Sequence, residues 1–200
     1  MALRPKLIGL FTCLALLSFT AQAQNWDVDL LDRINPSNPS SNYWEITSSS
    51  AYWVPASGIL STYIAGHVKK NRSLRQESYK ALVSIAVSTA ASQLAKLAFN
   101  RTRPSYAYPG KITEGGYRRG VSKYSFPSGH TCLAFTYATT LSMQYKKWYV
   151  TVPAFVWAAS VGYSRMYLGK HYPSDVIGGA AIGVASALLT RKLNKKLFHP

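Results

Sequence analysis

The sequence predicts an all-α protein: a bundle of about five core helices, transmembrane, following an N-terminal signal segment. Three observations carry that expectation. Five apolar segments of helical length follow one another along the chain. Every second connection, counted from the start of the first apolar segment, is a compact basic cluster. The first 23 residues have the three zones of an export signal.

The signal zones are a basic "MALRPK", an apolar "LIGLFTCLALLSF" and a small-x-small "AQA" ending at Ala23. Residues 1–23 are therefore expected to be a signal peptide, or an uncleaved anchor, and residues 24–200 a single domain. Cys13 belongs to the signal, which leaves Cys132 without a cysteine partner. The next stretch, "NWDVDLLDRINPSNPSSNYW", spaces Trp26, Leu30, Leu31 and Ile34 as one face of a short helix, with aspartates between them. That helix can lie on a membrane surface or on the protein's own core.

The five apolar segments run approximately Ala51–Gly66, Tyr79–Phe99, His130–Tyr145, Trp148–Tyr163 and Ser174–Thr190. At about 1.5 Å per residue the second can cross a ~30 Å hydrocarbon core, and the others are marginal. Hydropathy alone does not separate membrane helices from a buried soluble bundle. Their small residues suit close helix packing in either setting, with Gly179 and Gly183 in a small-xxx-small pattern. The connections favour a membrane. With the mature N-terminus outside, "HVKKNRSLRQES", Lys146–Lys147 and "RKLNKK" all face the cytoplasm. The other two connections then face outward.

A net charge of +16 calls for anionic partners. The basic residues fall in short clusters between apolar segments, without basic tails or arginine-rich helices, so nucleic acid is not the expected partner. The two outward connections hold the suggestive chemistry. In "KLAFNRTRP", Lys96 lies one turn before the helix end, and Arg103 stands before the stop at Pro104. In "YSFPSGH", Pro127, Ser128 and Gly129 form a tight turn that opens a helix at His130; Gly129 lets backbone N–H groups approach an anion. In "SRMYLGKHYPSD", Pro173 starts a helix, so His171 stands just outside its N-terminus and Asp175 lies in its first turn. From there the carboxylate can reach back to one imidazole nitrogen and leave the other as an outward lone pair. Singly, each group has an ordinary role: a snorkelling lysine, a loop arginine, a capped turn. Together they place two histidines, two arginines and a lysine on one side of the bundle.

These three stretches match, in order and spacing, the signature of the type-2 phosphatidic acid phosphatase superfamily, which the chain resembles from Lys96 to Asp175. The resemblance implies that His171, oriented by Asp175, attacks phosphorus and forms a phosphohistidine. It implies that His130 protonates the leaving oxygen and then activates water. Lys96, Arg103 and Arg165, with Ser128 and the Gly129 N–H, would hold the phosphoryl oxygens. Lys170 departs from the neutral residue expected beside the histidine and suits a multiply charged head group. No carboxylate or His/Cys cluster offers a metal site, so no metal and no cofactor are expected. The expected function is a phosphatase of a lipid phosphate monoester or diphosphate at the periplasmic face of a bacterial inner membrane. The competing readings are a soluble periplasmic acid phosphatase, a vanadate haloperoxidase and a non-catalytic scaffold for anionic lipids.

Overall fold

The computed structural model describes residues 26–116 and 123–198. The expected signal segment lies outside the described residues. Among the described residues the regular structure is all helical, apart from one isolated antiparallel bridge between Thr102 and Tyr124. Its helices are α1 (26–34), α2 (Asn42–Val68), α3 (Arg72–Phe99), α4 (Pro104–Ala107), α5 (Gly129–Tyr145), α6 (Trp148–Tyr167) and α7 (Pro173–Phe198).

The five long helices correspond to the five apolar segments, and most are longer than the apolar runs. α2 starts nine positions before its expected first residue, Ala51, in the polar stretch "NYWEITSSS". Hydropathy does not mark that turn because aromatic stacking and hydroxyls hold it. Trp44 packs on Tyr163 and Tyr167 at 4.8 and 5.7 Å, and Ser48 and Ser50 point into the bundle. α3 begins at a side-chain cap, where the Asn71 amide oxygen accepts from the N–H groups of Ser73 and Leu74. It ends at Asn100, in the left-handed conformation (φ 44°). The short α4, started by Pro104, has no counterpart in the sequence expectation.

α5 is the central helix and packs against α2, α3, α6 and α7. An alanine-rich core of Ala51, Ala134, Ala138, Ala154, Ala158 and Val161 brings α2, α5 and α6 together, with Phe135, Phe155 and Trp157 around it. α7 approaches α5 through two glycines. A Cβ on Gly183 would sit 2.4 Å from the Cys132 carbonyl oxygen, and one on Gly179 2.6 Å from that of Ser128. On α3, Ser84, Ser88 and Ser92 form a buried stripe that ends at Lys96. Inside the interface the Ser88 hydroxyl meets the Cys132 thiol and accepts from Thr136 Oγ1. The outward faces carry Leu82, Leu94, Leu97, Val156, Ile177 and Leu188. α3 and the stretch Pro173–Leu193 of α7 are long and apolar enough to cross a membrane.

Helix α1 packs on the protein itself. Val28 and Leu31 are buried against Ile112 and Tyr172, and beside them Lys111 pairs with Asp29 and Asp32, each at 3.7 Å. One end of the bundle thus gathers the N-termini of α2, α5 and α7, the C-termini of α3 and α6, and the packed connections between them.

Candidate active site

All eight sequence-predicted site residues lie at this end. Lys96 sits in the last turn of α3, where its ammonium donates to the carbonyl oxygens of Pro127 (2.8 Å) and Tyr124 (3.3 Å). It clasps the turn that precedes α5. The same turn is held by two backbone bonds between the connections, from Ser125 N–H to Arg101 O (2.7 Å) and from Arg103 N–H to Lys123 O (3.2 Å).

Ser128 is the N-cap of α5 and is fully buried. Its N–H donates to the Asp175 carbonyl (3.0 Å), and its hydroxyl oxygen accepts from Thr131 Oγ1 (2.8 Å). These contacts leave the hydroxyl proton for another acceptor. Gly129 opens the helix, and a Cβ there would meet nothing nearer than the Ser92 hydroxyl at 3.8 Å. His130 follows with its ring edge-on to Tyr52 of α2, centroids 4.7 Å apart.

Arg165, in the last turn of α6, is buried to 4% exposure and donates from Nη1 to the Ser48 hydroxyl (2.6 Å). Its Nε has no hydrogen-bond partner among the described residues, and neither does Nε of Arg103. Two buried guanidinium edges are thus left for an anion. Arg103 and Lys170 both face Glu114, whose Oε1 lies 4.0 Å from each cation and makes no hydrogen bond, while Oε2 accepts from Ser105 (3.0 Å).

His171 is 2% exposed, and its Nδ1 lies 3.5 Å from Asp175 Oδ2. The carboxylate does reach back across Pro173, but the contact is longer than a good hydrogen bond because Asp175 is shared. Oδ2 also accepts from the Ser125 hydroxyl and the Tyr172 N–H (2.9 Å), and Oδ1 accepts from Arg101 (2.9 Å). Burial pushes the His171 imidazole down to about 3 against the opposing pull of Asp175, with Arg165 adding to the downward shift, so the ring is neutral. Burial, reinforced by Arg165, lowers Lys170 to about 8. His130 lies within electrostatic reach of Arg165, His171, Lys170 and Arg103, and Lys96 within reach of Arg103 and Arg165. The two histidines are within electrostatic reach of one another, and Arg103 and Arg165 act on both.

Sequence reasoning passed over Tyr52, Ser48, Glu114, Ser125, Arg101 and Asp27. Arg101 lies inside a stretch quoted for its neighbours, and a run of basic residues so close to a helix stop was the available signal. Nothing local marks the others.

The family model described as the PAP2 superfamily matches residues 78–198, more than half of the chain and all eight of these residues. The chain belongs to the PAP2 superfamily. Among its PAP2 relatives it is 28% identical over 137 residues to an undecaprenyl-diphosphatase of Sulfolobus acidocaldarius, covering 66% of this chain and 58% of that one. It is 29% identical over 149 residues to a lipid A 1-phosphatase of Porphyromonas gingivalis, covering 73% of this chain and 30% of that one. The aligned stretch is thus less than two thirds of either relative's length. The PAP2 fold recurs in the crystal structure of a transmembrane PAP2-type phosphatidylglycerolphosphate phosphatase from Bacillus subtilis. That match has a TM-score of 0.68, 21% identity, and coverage of 97% of this chain and 96% of that one.

Proposed function

We propose that this protein is a phosphatase of lipid phosphates that works without a metal through a phosphohistidine. The observation that carries the reading is a buried neutral His171 within electrostatic reach of His130, with Arg103 and Arg165 acting on both rings and Lys170 on His130. Asp175 at Nδ1 favours the tautomer that leaves the Nε2 lone pair for attack on phosphorus. Attack forms the N–P bond as the bond to the leaving alcohol or phosphate oxygen breaks, and His130 supplies that oxygen with its proton. Water, deprotonated by His130, then displaces the imidazole and releases inorganic phosphate. Guanidinium edges, the Ser128 hydroxyl and the Gly129 N–H meet the charge that develops on the phosphoryl oxygens.

The membrane reading is supported by an inverted pattern of burial. α3 hides serines and shows leucines to the outside, which suits hydrocarbon rather than water. Relatives named for lipid phosphates and a transmembrane fold neighbour point the same way. A lipid could then keep its chains in the bilayer and place only its phosphate among the cations at the outer face.

Phosphate release by purified protein from mixed micelles of lipid monophosphates and diphosphates tests the reading. Turnover of at least one such lipid in the presence of a chelator is expected, with none after His171→Ala. Strict metal dependence, unchanged turnover in His171→Ala, or equal activity on small soluble esters with release into the soluble fraction would each reject it.

A further inference from the structure

The chemistry above uses nothing from α1, yet α1 carries Asp27, which is fully buried. A buried carboxylate is costly unless its oxygens are met. Here both are. Oδ1 accepts the Ser174 N–H (2.9 Å), at the start of α7, while Oδ2 accepts Arg101 Nη2 (2.8 Å) and the Ser174 hydroxyl. The other arm of the Arg101 fork, Nη1, donates to Asp175 Oδ1 (2.9 Å) and to Ser174 Oγ (2.6 Å). Below it the guanidinium rests on the Tyr172 ring, 3.9 Å from the centroid. Arg101 therefore bridges two carboxylates, and one of them is the partner of His171.

That bridge decides what Asp175 can do. An arginine with Asp175 as its sole acid would turn both arms to it and draw it away from the imidazole, whose contact is already 3.5 Å. Asp27 takes one arm, fixes the tilt of the fork and shares its charge, so Asp175 keeps one oxygen facing His171. The burial of Val28 and Leu31 against Tyr172 holds α1 in register for this contact. We propose that Asp27 is a positioning residue of the active site, acting through Arg101 to hold Asp175 as the partner of His171. The N-terminal helix is then a working part of the site, although it lies before the 78–198 region common to the family. The inference rests on the phosphatase reading of that site.

The test is a double-mutant cycle on the full chain in detergent. Asp27→Asn keeps the shape and one acceptor while removing the charge. It should lower kcat by about tenfold to a hundredfold, with KM changed less than about twofold and melting temperature nearly unchanged. In an Arg101→Met background the same substitution should cost nothing further, because the path through the guanidinium is already cut. Equal losses in both backgrounds, a KM effect of the same size as the kcat effect, or activity within about twofold of the parent would overturn the proposal. A parent protein inactive on every lipid phosphate would fail the phosphatase reading instead. Imidazole nitrogen-15 spectra, with His171 assigned by His171→Gln, still decide the matter in that case. The Nδ1-protonated tautomer should dominate in the parent and mix with the other in Asp27→Asn; an unchanged spectrum would sink the role of Asp27.

Discussion

Glu114 faces two of the proposed phosphate-binding cations, 4.0 Å from Arg103 and from Lys170. It screens their charge, and it repels an incoming phosphate. Glu114→Gln should therefore tighten inhibition by inorganic phosphate or vanadate, by about a hundredfold for one pair of unit charges about 6 Å apart at an effective dielectric near 20. A purely structural role, through Ser105, predicts weaker inhibition, so the sign of the change in Ki decides. Lys170 gives a second handle. Lowered to about 8 by burial and by Arg165, it is charged below that pH and neutral above it. KM should rise as the pH climbs through about 8, and Lys170→Gln should show the higher KM already at pH 7 with that limb flattened. His171, lowered to about 3, stays neutral across the same range, so its protonation in the free enzyme should set no acid limb of kcat/KM near pH 6. The residues proposed for catalysis and for the phosphate cradle could be picked out in the sequence because each sits within a few positions of a helix start or stop that proline and glycine announce. Asp27 and Glu114 were not. Their roles come from contacts closed across the fold, 74 residues in the case of Asp27 and Arg101, and neither has a local pattern that separates it from a solvent-facing acid.

At the scale of elements, α5 and α7 meet through backbone rather than side chains. Gly183→Ala would press a methyl to 2.4 Å from the Cys132 carbonyl, which cannot move without its helix. Forced separation of this kind costs about 1–3 kcal/mol and outweighs the helix propensity that alanine adds. A lower melting temperature with residual turnover is expected. Gly179→Ala makes its contact with the Ser128 carbonyl, at the cap of α5 where the proposed phosphate cradle lies. It should lower kcat more than its effect on melting temperature would suggest, and the ratio of the two losses between the variants is the measurement. The sequence spacing of these glycines was legible as a packing motif. The extra turns of α2 were not, because Trp44 and Ser48 are held by neighbours on α6 rather than by apolar periodicity.

For the whole molecule, spanning predicts two chemically distinct ends. In a Cys132→Ser background, single cysteines at Ser105 or Lys111 should react with an impermeant thiol reagent in cells with a permeabilised outer membrane. Cysteines at Lys146 should be protected until the inner membrane is opened. Labelling of both sets alike would refute the orientation. The acids are distributed as unevenly as the chemistry. Of the seven in the chain, Asp27, Asp29, Asp32, Glu114 and Asp175 lie at the site end, Glu45 is within electrostatic reach of Lys170 there, and Glu77 stands at the other end, paired with Lys80 at 2.8 Å. The cations of the distal end, from Lys69 to Arg75 and at Lys146, Lys147, Arg191 and Lys192, are almost without counter-charge. Such a molecule is an electric dipole along its long axis. An inside-negative membrane voltage contributes about 2.3 kcal/mol per elementary charge per 100 mV. The same voltage that energises a cell would therefore hold this protein upright, site outward, and would resist its insertion the other way round.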